Sequence, residues 1–92
     1  MMLDAQNGVM LVDGRGIRLS PQECLFVQAM IDRMPEPVPI EEHYDQVFGI
    51  RSDPPQLRNL YKLACRLKAK FAGTSCTIEP RCSVGYRLIE RA

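Results

Sequence analysis

The sequence predicts a single α+β domain of 92 residues, built as a short β-hairpin, three helices and a second β-hairpin. Three patterns carry that expectation. Within residues 53–71, Leu57, Leu60, Ala64, Leu67 and Phe71 recur at three- and four-residue steps, the spacing of one helical face. Leu19-Ser20-Pro21-Gln22-Glu23 has the form of a helix start. Short apolar runs flank turn-forming residues near both ends of the chain, at 8–12 and 16–19 around Asp13-Gly14, and at 75–79 and 86–89 around 80–85.

Taken in order, residues 1–7 carry no periodic pattern and are expected to be flexible. Asp13 and Gly14 both tolerate positive φ, so they fit the tight turn of the first hairpin. Ser20 is the expected N-cap of the first helix. Pro21 falls in its first turn, and Glu23 is placed to close a capping box. This helix should run to about Arg33, burying Phe26, Val27, Met30 and Ile31, with Cys24 as a core thiol. Pro35-Glu36-Pro37-Val38-Pro39 stops it and favours an extended connection around Val38. A second helix spans Ile40–Phe48, with Ile40, Tyr44, Val47 and Phe48 inward, and Gly49 ends it.

The third helix is expected over residues 53–71, capped by Ser52 or Asp53, with the prolines in its first turn and Gly73 beyond its end. Leu63 widens its apolar stripe. Arg58, Lys62 and Arg66 fall on the opposite side, with Asn59 and Lys70 flanking them and Lys68 angled nearer the core edge.

Composition narrows the function. No stretch approaches the ~18 consecutive apolar residues of a membrane span. Met1-Met2-Leu3-Asp4-Ala5 lacks a basic leader followed by an apolar run, so a cytoplasmic protein with no membrane partner is expected. The net charge is only +1, but it is divided unevenly. Residues 1–50 hold 3 Lys or Arg against 8 Asp or Glu, and residues 51–92 hold 9 against 3, giving −5 and +6. A positive half of this kind suits a phosphate backbone.

The four cysteines, Cys24, Cys65, Cys76 and Cys82, contain no two-residue metal-ligand spacing, and His43 is the single histidine. Reduced thiols and no metal are therefore expected, with Cys76 and Cys82 as the pair to watch across the second hairpin. Glu41 and Glu42 are adjacent on a helix and do not face each other, so they read as a solvated face rather than an acid–base pair. His43 reads as a boundary residue. With no nucleophile–base pair or glycine-rich phosphate loop, the chain is expected to be no enzyme and to need no cofactor.

Three helices followed by a hairpin form the winged helix-turn-helix pattern, and the motifs narrow it further. Leu19-Ser20-Pro21-x-Glu23 resembles the first-helix signature of OmpR/PhoB-type response-regulator effector domains. Val38, the second helix and Val47-Phe48-Gly49 fall in that family's places without a gap. Leu60, Leu63, Ala64, Arg66, Leu67, Lys68, Lys70 and Phe71 match its recognition helix, and Gly85-Tyr86-Arg87-Leu88 closes the wing as the family does. Within the family, the likeness is strongest to regulators of the CtrA kind. Residues 8–89 are covered. His43 stands where the family has an apolar residue, and Tyr61 replaces an Asp. Ala64 replaces an Ile and Lys68 an Arg, while Glu79-Pro80-Arg81 and Ser83 replace the wing's Thr-Val and first Gly. No receiver domain precedes the effector domain, so control by phosphorylation in cis is not expected.

The resemblance implies a bacterial transcription regulator that binds double-stranded DNA, cytoplasmic and nucleoid-associated. The helix at 53–71 would enter the major groove and the wing at 76–89 would lie on the backbone or minor groove. Arg58, Asn59 and Lys62 are the candidates for base contact, Arg66 and Lys70 for phosphate, and Arg81 and Arg87 for contacts from the wing. A homodimer on adjacent half-sites is the expected assembly. The alternative is a protein-interaction module of the same fold. It would bind RNA polymerase, a sigma factor or another response regulator through Glu41, Glu42, Asp45 and Arg51.

Overall fold

The computed structural model describes residues 1–49, 55–81 and 83–90. Strands β1 (Met2–Asp4), β2 (Val9–Val12) and β3 (Arg15–Arg18) form an antiparallel sheet in that order. Asp13 and Gly14 both have positive φ, 54° and 76°, and close the β2–β3 hairpin at the Val12–Arg15 pair. Strand β1 lies within the segment expected to be flexible. It pairs Leu3 with Met10, and Met1 reaches the far sheet, where its amino group lies 3.6 Å from Glu90.

Helix α1 (Pro21–Arg33) starts as its sequence requires. The Ser20 hydroxyl accepts from the Glu23 N–H at 3.2 Å, and Glu23 Oε1 accepts from the Ser20 N–H at 2.8 Å. Strand β4 (Val38–Pro39) follows the proline-rich connection, and α2 (Ile40–Phe48) follows directly. Helix α3 is Arg58–Lys70, so it begins later than the 53–71 expected. Proline has no backbone N–H to donate and disfavours helix in the residue before it, so a double proline suits the approach to a helix as well as its first turn. Pro55 lies outside the helix, and its carbonyl accepts the Tyr44 hydroxyl. Leu57 occupies the N-cap without a side-chain cap, while Ser52 and Asp53 lie outside the described residues.

Strands β5 (Cys76–Arg81) and β6 (Gly85–Glu90) form the second hairpin, and β4 joins it on the other side of β6. The strands run further toward the turn than expected, because Pro80 is accommodated in β5, an edge strand. Gly85 is fixed by close approach. A Cβ there would stand 1.9 Å from the Val38 carbonyl oxygen, so any side chain would push β4 off β6.

One core joins all three layers. Phe26, Val27 and Met30 of α1 meet Leu60, Leu63 and Leu67 of α3, with Met10 and Val12 from the first sheet and Ile78 and Leu88 from the second. Asp13 ties the first hairpin to the turn after α3 by accepting from the Ser75 N–H and hydroxyl at 2.7 and 2.6 Å. These bonds hold the Asp13 carboxyl below the usual carboxylate range. Helix α3 packs against α1 and β5, and one face is left outward.

Candidate nucleic-acid interface

The inward face of α3 is Leu60, Leu63, Ala64 and Leu67, all buried. Rotation by ~100° per residue then turns positions 58, 61, 62, 65, 66, 68 and 69 away from the core. Each of these is exposed. Arg58, Lys62 and Arg66 make no ion pair or side-chain hydrogen bond among the described residues, so their charges face solvent uncompensated. Lys68, expected nearer the core edge, is exposed as well. It stands on the wing side of α3, beside Pro80 and Tyr86.

The structure places the remaining candidates differently. Asn59 is half-buried in a cleft of about 220 Å³ with Gln22 of α1 and Phe48 of α2. Lys70 is engaged inside the molecule. Its ammonium lies 2.7 Å from Glu23 Oε1 and 2.8 Å from the Arg18 carbonyl oxygen. Burial raises the Glu23 pKa, but the Lys70 bond, the Ser20 N–H and the Lys70 charge together outweigh it and hold the carboxyl below its usual range. Lys70 therefore secures the end of α3 to the start of α1, a role hidden in the sequence because the pair is 47 residues apart.

On the wing, Arg87 pairs with Glu79 at 2.7 Å, and Arg81 reaches the same carboxylate at 3.3 Å. Arg81 stays the more open of the two, with its side chain 54% exposed against 30%. Glu79 thus sets how much positive charge the wing presents, and sequence reading did not single it out for that role. Pairing in the hairpin register brings Glu79 opposite Arg87, which could have been counted from the turn.

Among the acidic candidates, Glu42 is ion-paired with Arg33. Glu41 and Asp45 rim a groove of about 480 Å³ together with Ile40, Tyr44, Pro55 and Leu57. Arg51 lies outside the described residues. His43, expected at the boundary, is fully buried. Its ring lies against Phe26 with centroids 3.8 Å apart, and its Nε2 is 2.9 Å from the Phe26 carbonyl oxygen.

Cys24 and Cys76 are buried thiols, and burial pushes both above the usual thiol range. Cys76 opens β5. Cys82 itself lies outside the described residues. Among the described residues there is no group of three or more His, Cys, Asp or Glu placed to hold a metal ion, and no helix long and apolar enough to cross a membrane.

Helix α2, the connection to α3 and the β5–β6 hairpin behind them compose a winged helix-turn-helix, the fold that the resemblance to OmpR/PhoB-type effector domains implied. Among solved structures, the chain is similar to the DNA-binding domain of CssR from Bacillus subtilis. The TM-score is 0.68 at 23% identity, over 84% of each chain. No family model matches the sequence, and no curated protein matches it either.

Proposed function

We propose that the protein is a sequence-specific DNA-binding regulator of transcription. Helix α3 enters the major groove, and the β5–β6 wing lies on the adjacent backbone or minor groove. One observation carries this reading: Arg58, Lys62 and Arg66 form an outward cationic row on a helix whose opposite face is locked in the core. Arg58 and Lys62, near the helix start, face base edges, and Arg66 faces phosphate. Arg81 is the wing's contact, with Arg87 behind it. The likeness to a DNA-binding domain of the same fold supports the reading. A single small domain makes few contacts, so a homodimer on adjacent half-sites is the working assembly. Action on DNA places the protein in the cytoplasm, at the nucleoid.

A mobility-shift titration over salt, with a random-sequence duplex pool, tests this. Each neutralised phosphate contributes about 0.9 to the slope of log affinity against log salt. The Arg58→Ala/Lys62→Ala/Arg66→Ala variant should lose about 1 of that slope, through the phosphate contact of Arg66, and most of its affinity through the lost base contacts, while its melting curve stays in place. Unchanged affinity and slope would refute the proposal.

The acid-rimmed groove beside Tyr44 favours a second reading, a docking surface for RNA polymerase, a sigma factor or another response regulator. In that case, Glu41→Lys/Asp45→Lys protein would lose a polymerase complex that the α3 variant keeps.

A further inference from the structure

Two ridges run side by side along the outer surface of α3, because side chains four positions apart stack on a helix. One is the cationic row of Arg58, Lys62 and Arg66. The other, Leu57, Tyr61, Cys65 and Ala69, carries no charge. Leu57 is 43% exposed and Tyr61 40%, and Cys65 and Ala69 are exposed too. This second ridge is separate from the buried stripe through Leu60, Ala64 and Leu67. Beyond it, toward the wing, stands Lys68, beside an apolar groove of about 180 Å³ floored by Ile78, Pro80 and Tyr86. The outward face is therefore an apolar strip with a cationic row along one margin and the single cation Lys68 on the other.

Single exposed apolar residues need no explanation. Four in one helical register, flanked by uncompensated cations, call for an occupant that is apolar along its middle and anionic at both edges. The major groove of a thymine-bearing duplex has that character. Its rims are phosphate backbones, and the thymine C5-methyl is the apolar group its floor presents.

Building on the DNA-binding reading above, we infer that the strip reads thymine methyl groups, with Tyr61 as the principal specificity-determining residue. The Tyr61 ring supplies apolar area at the middle of the strip. Cys65 and Ala69 are small and leave room for the base edges to approach. Arg66 on one side and Lys68 on the other meet the phosphate rims and hold the strip in register, while Arg58 and Lys62 stay on the base edges beside it.

The test compares short duplexes of alternating dA and dT with duplexes in which every dT is replaced by dU, which lacks only the methyl. Fluorescence anisotropy at one low salt concentration gives both affinities. Wild-type protein should bind the dT duplex at least about fourfold more tightly, the transfer free energy of one buried carbon converted to affinity. Tyr61→Phe should keep that preference, because the ring and not the hydroxyl makes the contact. Tyr61→Ala should bind both duplexes alike with its melting temperature preserved. Equal wild-type affinity for the two duplexes, or discrimination that survives in Tyr61→Ala, overturns the inference and leaves the DNA-binding reading standing. Absence of binding to either duplex and to a random pool overturns both.

Discussion

His43 should make the fold sensitive to mild acid, and the geometry fixes the sign. A carbonyl can only accept, so the bond to Phe26 requires the proton on Nε2 and leaves Nδ1 bare. Nδ1 is buried without a partner among the described residues, so a proton added there would bring a charge that nothing pairs. Burial accordingly pushes the pKa below the usual imidazole value, against the Phe26 carbonyl and the Glu42 charge, which pull it up. With the folded pKa below the unfolded value of about 6.5, the unfolded chain takes up the proton first as pH falls. Stability is therefore complete above about pH 6.5 and declines below it, by at most about 1.4 kcal/mol per pH unit.

In a domain of this size, 1 kcal/mol moves the melting temperature by about 4–8 °C. Wild-type protein should thus lose up to roughly 6–11 °C between about pH 6.5 and 5.5. His43 is the single histidine, and carboxylates titrate mostly below about pH 5, so nothing else competes in that window. His43→Leu should flatten the curve there. At neutral pH it should cost about 1 kcal/mol, because it forfeits one hydrogen bond while removing the orphaned nitrogen. The assay is circular-dichroism melting of both proteins across pH at constant ionic strength. Parallel curves for wild type and His43→Leu would refute the reasoning.

Two further outcomes follow from charges held inside the molecule. Lys70→Met leaves the Glu23 carboxylate buried without its cation. Removing one partner of a fully buried pair costs about 3–5 kcal/mol, and the 37% exposure of the Lys70 side chain lowers the expectation to about 1–2 kcal/mol. Because the Glu23 pKa is depressed in the fold, its contribution is present above about pH 4.3 and lost as pH falls through the folded value. Lys70→Met should therefore blunt acid denaturation, which acid titration followed by far-ultraviolet dichroism will measure. Glu79→Gln releases Arg81 and Arg87 from their shared carboxylate. It should tighten binding to every duplex alike and steepen the salt slope by about 1, read in the same mobility-shift titration.

The elements were legible in the sequence wherever local chemistry decides them. Ser20, Pro21 and Glu23 announce α1 because a capping box is decided within four consecutive residues. Asp13-Gly14 announces the first hairpin because few residues accept positive φ at both turn positions. What the sequence concealed is long-range. Strand β1 has too few residues for a pattern and exists by pairing with β2. His43 has neighbours on its own helix that suggest a boundary, yet Phe26 of α1 and Tyr86 of β6 close over it. The sequence leaves the start of α3 open, because a proline fits the residues before a helix as well as its first turn. The exposed tyrosine at position 61 was visible as a departure from the family pattern, and its place beside Cys65 and Ala69 gives that departure a physical sense.

The same distinction applies to charge. The +6 of residues 51–92 reads in sequence as one cationic surface. In the fold, Lys70 faces Glu23 and Arg87 faces Glu79, so part of that charge is consumed in holding α3 to α1 and the two wing strands together. Among the described residues, what remains outward is Arg58, Lys62, Arg66 and Lys68 on one helix, with Arg81 at the wing. A surface with fewer but better-placed cations gains less from indiscriminate phosphate contact. Discrimination then depends more heavily on groups that touch base edges. An uncharged ridge between the cations is where such a surface has room to discriminate.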